Sequence, residues 1–172
     1  MSSAHAVQLH PIPTAWLQDI VAGRRPASPE LGIAEDALPP AHVARRALAQ
    51  LARGDAPQWC LPFNIVAVDE GRVVGGCGFK GAPSKRTAEI GYGIAPSCWR
   101  RGFARSGVSR LLRLGAESGE IDQVIAHIAT DNEASSALAR GLGFVASSGL
   151  VEIEGERLVL WRLRLQDGQH NS

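Results

Sequence analysis

The stretch Trp99-Arg100-Arg101-Gly102-Phe103-Ala104-Arg105 places arginines, a glycine and a small residue directly ahead of an apolar helical pattern. A helix start offers unpaired backbone N–H groups and the positive end of the helix dipole. A glycine at the entrance lets a phosphate approach that backbone, and arginines add charge-assisted donors. The chemistry is phosphate cradling; taken alone, the loop could equally be a solvated basic turn ahead of a surface helix. Glu89 stands in a run of Ile, Gly and Tyr, where a carboxylate is costly to bury. Burial there would raise its pKa toward the range of a general base. The alternative is an exposed strand edge or an ion pair with Lys85 or Arg86. His127 interrupts the apolar run Val124-Ile125-Ala126-His127-Ile128. It reads either as a core histidine satisfied by one hydrogen bond or as a second titratable group. Ser135 has no His/Asp partner at catalytic spacing and G-x-S-x-G is absent, which argues against a hydrolase nucleophile.

Other chemistries fall away on spacing. Gly76-Cys77-Gly78-Phe79-Lys80-Gly81 satisfies G-x-G-x-x-G, but that motif works only where the glycines end a strand and open a helix. Here Ala82-Pro83-Ser84-Lys85 reads as a turn, and no acidic residue follows at the expected distance. The glycines instead point to kinking or to close approach of another group to a sheet. The three cysteines, Cys60, Cys77 and Cys98, are far apart, with no C-x-x-C and no metal-ligand spacing, so free thiols and no metal are expected. Cys98 beside the basic loop is either a reactive thiol or a small buried residue. Trp16, Trp59, Trp99 and Trp161 are scattered and form no basic-aromatic ladder.

A chain of 172 residues can bury a real core as one domain. Its net charge of +1 argues against a general nucleic-acid or membrane-surface role, so the phosphate partner should be small. No leader pattern or bilayer-length apolar run is present in the sequence, and a cytoplasmic location is expected.

The elements that must hold these residues follow from periodicity. A brief strand over Ala6 to Leu9 precedes a helix from Thr14 to Gly23, and Arg24 to Pro40 reads as a long connection. Pro39-Pro40 opens a second helix with Val43, Ala44, Ala47, Leu48 and Leu51 on its apolar side. Phe63 to Val68 and Arg72 to Val74 form a hairpin about Asp69-Glu70-Gly71. Thr87 to Ile94 is a strand. The helix from Phe103 to about Glu117 sets Val108, Leu111, Leu112 and Gly115 on one face. Val124 to Ala129 is a strand, Thr130 to Glu133 has capping-box spacing ahead of a short helix from Ala134 to Arg140, and Glu152 to Leu165 closes as a hairpin. The expected architecture is α/β (α+β): a mixed, mostly antiparallel sheet flanked by helices, with residues 1–165 as one domain and 166–172 as a polar tail.

Three stretches in this order resemble the GNAT superfamily of acetyl-CoA-dependent N-acetyltransferases, in its RimJ/RimL-like branch. Glu89 to Pro96 is similar to the family's central strand and its exit. Arg100 to Ala104 resembles the R/Q-x-x-G-x-G/A pyrophosphate loop, with Gly102 and Ala104 in the small positions. Asn132 to Ser135 with Leu142-Gly143-Phe144 resembles the N-x-x-S…L-G-F segment. The resemblance covers about Phe63 to Leu165 and implies the GNAT fold, acetyl-CoA as co-substrate and an amine acceptor of unknown identity. It implies that Arg100, Arg101, Gly102, Phe103, Ala104 and Arg105 hold the CoA pyrophosphate, that Ile94 pairs through its backbone with pantetheine, and that Asn132 touches the far side of the cofactor. Glu89 and His127 match positions that serve as base in different members. The first residue of the loop signature falls on Trp99, and the position of a tyrosine acid found in many members falls on Ala139, which leaves Ser135 or water as proton donor. A non-catalytic CoA- or partner-binding module is the alternative reading, and a homodimer stays open.

Overall fold

The computed structural model describes residues His5–Gln166; beyond Gln166, the tail expected over 166–172 lies outside the described residues. The chain divides into two compact units. One takes the chain up to Ala82 together with Gly91–Leu111, and the other takes Pro83–Ile90 and the chain from Leu112 on.

In the first unit the strands are β1 (Val7–Pro11), β2 (Gly32–Ile33), β3 (Phe63–Ala67), β4 (Arg72–Phe79) and the second half of β5 (Thr87–Ile94). β1 pairs antiparallel with β3, and β3 with β4, while β2 adds to β4 in parallel. Gly71, at φ 58°, closes the β3–β4 turn in the left-handed region that glycine enters without steric cost. Helices α1 (Thr14–Val21) and α2 (Ala41–Ala52) pack over a core of Ile12, Leu17, Ala44 and Ala47. Full burial of Leu17 contributes about 2 kcal/mol. A single turn, α3 (Pro57–Cys60), buries Trp59 edge-on against Phe79, ring centroids 4.7 Å apart.

Helix α4 (Phe103–Glu117) begins in this unit with Phe103, Val108 and Leu111 fully buried. Gly107, in its middle, gives up roughly 1 kcal/mol of helix propensity relative to alanine. The structural return is close packing: a Cβ on Gly107 would lie 2.6 Å from Cδ1 of Ile65 on β3.

In the second unit the first half of β5 pairs in parallel with β6 (Gln123–Ala129), with Glu89 opposite Ile125. Parallel neighbours need a crossover, and α4 lies between these two strands in the chain. β6 pairs antiparallel with β8 (Glu156–Arg164), and β8 with β7 (Val145–Ile153). Glu154 and Gly155, both at positive φ, make the two-residue hairpin turn between the last two strands. Helix α5 (Glu133–Gly141) precedes that hairpin. The mixed, mostly antiparallel α/β class expected from the sequence is the one observed. Among the described residues no helix is long and apolar enough to cross a membrane.

The differences from expectation have local causes. β2 lies in the stretch read as a plain connection, because two residues carry no periodicity. β7 starts at Val145 rather than near Glu152; its residues are almost all exposed, so no alternation marks them. The cap of α5 is Asn132, whose side chain accepts from Ser135 N–H at 3.1 Å, and not Thr130 of the capping-box pattern. On α2 the core side is Ala44, Ala47 and the amide of Gln50, which donates to Lys80 O at 2.8 Å.

The glycines of β4 supply a stability test. A Cβ on Gly75 would stand 2.3 Å from Gly93 O and 2.9 Å from Ile94 Cα, both backbone atoms. Gly75→Ala should therefore cost about 3 kcal/mol in urea unfolding, the upper range of overpacking. Gly107→Ala meets the movable end of Ile65, regains helix propensity, and should cost about 1 kcal/mol or less. Equal losses would refute the backbone-contact argument.

Candidate functional site

In the second unit, β5 and β6 set Glu89 and His127 together. Side chains alternate along a strand, so Ile125 and His127 share a face, and His127 lies diagonally across from Glu89. Burial confirms the alternation: Ala88, Ile90, Val124, Ala126 and Ile128 are buried, while Glu89 and His127 are half-buried. His127 is thus not a core histidine, and its Nδ1 lies 2.8 Å from Glu89 Oε1. With the carboxylate ionised, Glu89 accepts in this bond and Nδ1 is the donor. The alternative of a Glu89–Arg86 ion pair is not observed, since Arg86 is held by Asp122 at 2.9 Å. Two residues that the sequence offered as rival bases form one hydrogen-bonded pair. Ser135 and Asn132 also meet, but through the cap of α5; the Asn132 carbonyl oxygen is engaged there.

In the first unit, a 3-10 turn (Pro96–Cys98) leads from β5 to Trp99 and the basic loop. The indole N–H of Trp99 donates to Ile94 O at 2.8 Å, although the indole itself is 62 % exposed. The residue that departs from the loop signature therefore ties the loop to the strand exit. It also engages one lone pair of the Ile94 carbonyl. Arg100 and Gly102 take φ of 60° and 78° on either side of Arg101, and Ser106 N–H closes the first helical bond to Gly102 O at 3.0 Å. Alternating left-handed positions followed by the first turn of a fifteen-residue helix make a concave run of N–H donors suited to an anion. A Cβ on Gly102 would meet nothing within 4 Å, so the approach is open. The residues present fit a pyrophosphate. Phe103 contributes only backbone, because its ring is buried between His5 and the Arg101 guanidinium.

Sequence reasoning missed Glu70, which looked like an ordinary turn residue. Its carboxylate accepts from Arg101 of the basic loop and from Arg72 Nε at 2.7 Å. Arg72 Nη2 also reaches Cys98 Sγ at 3.7 Å. One carboxylate thus braces the loop arginine against the β3–β4 turn. All three cysteines are buried and free, and burial pushes the Cys77 thiol up to about 12. Among the described residues no group of His, Cys, Asp and Glu could hold a metal ion.

A cavity of about 360 Å³ also lies wholly within the first unit. Its walls come from the start of α2, from β4 at Gly76–Lys80 and from β5 at Gly91–Ile94. Val43, expected on the core side of α2, lines this cavity instead.

Arg101 first, and Arg72 second, hold the Glu70 carboxyl below the usual carboxylate range. A group that releases its proton more readily when folded stabilises the fold fully above the ordinary carboxylate range and loses that contribution as pH falls through its lowered value. Glu70→Gln should lower Tm at neutral pH, with the gap from wild type closing as the medium is acidified. A gap that stays constant down a pH series of thermal melts would show that Glu70 makes no such contribution.

Comparison with known proteins places this geometry. Residues 16–145 match the family described as acetyltransferase (GNAT) domain. The uncharacterized N-acetyltransferase YoaA of Bacillus subtilis is 39% identical over 83 residues, 48% of this chain and 47% of that protein. The chain thus spans about half the length of the curated relatives it matches. Among solved structures, the ribosomal-protein-S5-alanine acetyltransferase of Vibrio fischeri superposes with TM-score 0.66 at 17% identity, over 93% of each chain. Mycobacterium smegmatis RimJ, solved in complex with CoA-disulfide, superposes with TM-score 0.65 at 22% identity, over 94% of this chain and 83% of its own. With a family match over most of its length and a fold shared with these enzymes, the chain belongs to the GNAT acetyltransferase family.

Proposed function

We propose that the chain transfers the acetyl group of acetyl-CoA to a primary amine, of a protein N-terminus or a small molecule, by direct attack. The observation that carries this reading is the Glu89–His127 pair: a half-buried carboxylate held by an imidazole on the open face of a strand. Family membership and the anion-binding start of α4 support acetyl-CoA as the co-substrate. The backbone from Arg101 to Arg105 would hold its pyrophosphate, and so supply proximity more than chemistry. The Ile94 N–H would bind the pantetheine arm and steady the carbonyl oxygen as charge develops. A free amine is the nucleophile, and an ammonium must first lose a proton. Glu89 is the more exposed of the pair, 28% against 16%, and we assign it as the base, directly or through a water. His127 is then a positioning residue that fixes the carboxylate. As the C–N bond forms and the C–S bond breaks, CoA leaves as thiolate and is protonated. Ala139 is buried and has no acidic side chain, so Ser135 or water must supply that proton.

Glu89→Gln should lower kcat by about 100-fold or more, the usual share of a general base, with the KM for acetyl-CoA within about twofold. His127→Ala should lower kcat less, and His127→Gln, which keeps a donor, should recover part of that loss. A CoA-release assay in which Glu89→Gln stays active while His127→Ala is dead would reverse the two roles. Absence of turnover with every amine tried would favour a non-catalytic binding module.

A further inference from the structure

The walls of the 360 Å³ cavity differ in charge from what a polycationic amine would require. Arg46 stands in the wall together with one carboxylate, Asp36, which is exposed. Arg46 is half-buried, and among the described residues no hydrogen bond or ion pair engages its side chain. Arg24 of the same unit is engaged by Asp19, Arg53 by Asp55, and Arg72 and Arg101 by Glu70, while Arg45, Arg100 and Arg110 are exposed to water. A cation partly removed from water without a counter-charge is costly, and that cost is relieved when an anion docks. His42 lines the same cavity one helical turn before Arg46, so the two share a face of α2.

A second observation points the same way. The N-terminal end of α2 meets the cavity through Pro40, His42 and Val43, with no acidic residue in its first turn and no side-chain cap. The positive end of that helix dipole is therefore uncompensated on the cavity side. The remaining wall is largely apolar and glycine-lined, with Ile12, Leu38 and Phe79 available to the body of a small ligand. A drug-sized or smaller molecule fits such a volume.

We propose that this cavity takes the acceptor, and that the acceptor is a small primary amine bearing an anionic group, carboxylate or phosphate, which Arg46 binds. This rests on the acetyltransferase reading and narrows it. Arg46 would be the residue that sets specificity, and His42 and the α2 terminus would add donors.

The test is CoA release with γ-aminobutyrate, L-methionine and phosphoethanolamine, each against the same amine with its anion esterified or removed, and with spermidine. At least one anionic amine should exceed its masked partner by about tenfold or more in kcat/KM. Arg46→Gln should reduce that ratio to within about threefold, Arg46→Lys should restore part of it, and Arg45→Gln, on the exposed side of α2, should leave it unchanged. Whether the carboxylates or phosphoethanolamine show the larger ratio identifies the anion. Preference for masked amines or spermidine, or a ratio indifferent to Arg46, overturns the proposal. If no amine releases CoA, the acetyltransferase reading fails, and calorimetric binding of the same three anionic amines decides the cavity. Binding lost in Arg46→Gln sustains the anion site; no binding, or equal binding in both proteins, overturns it.

Discussion

In the first unit, Gly75 of β4 is held against the backbone at the end of β5. At Gly75 of β4 there is no room for a side chain, because the carbonyl oxygen of Gly93 and the Cα of Ile94 stand where a Cβ would be. That contact fixes the end of β5, and Ala95 N–H then reaches Val74 O at 2.8 Å. From this anchored exit the chain turns through Pro96–Cys98, and the indole of Trp99 returns to Ile94 O. The basic loop begins one residue later. Its geometry is thus set by a glycine more than twenty residues earlier, Gly75, which stands just ahead of the G-x-G-x-x-G run and which no motif marks.

Charge in this unit is arranged so that the loop is not simply basic. Arg101 is braced by Glu70 and packs over Phe103, which leaves backbone N–H groups and the helix dipole as its most directional binding elements. An exposed arginine cluster would bind anions loosely and lose most of that to salt screening. A braced loop has less conformational entropy to lose on binding any ligand.

The Glu89–His127 pair shows how register creates chemistry. Neither residue is near the other in sequence, and each carried a bland alternative: an exposed edge for one, a core position for the other. Parallel pairing of β5 with β6 at Glu89 and Ile125 puts them on one face, and the hydrogen bond follows. The same pairing excludes the Glu89–Arg86 ion pair, because Arg86 turns to Asp122. The cavity follows a similar logic: α2 has a core side at Ala44 and Ala47, and a second side at His42, Val43 and Arg46 that no heptad reading separates.

What the sequence determined by itself was local and periodic. The bounds of α4, the strand from Thr87 to Ile94 and the basic loop between them follow from apolar spacing, glycine placement and the physics of a helix start. Order and spacing of the three motif stretches were enough to point to the family. Elements without periodicity stayed silent: two-residue β2, single-turn α3, and the solvent-facing start of β7. Only tertiary structure decided that Glu70 braces Arg101, that Trp99 holds Ile94, that Asn132 caps α5, and that Glu89 and His127 are a pair. Each is a contact between residues whose types permit it but whose separation in the chain does not specify it, so the fold alone could select the partner.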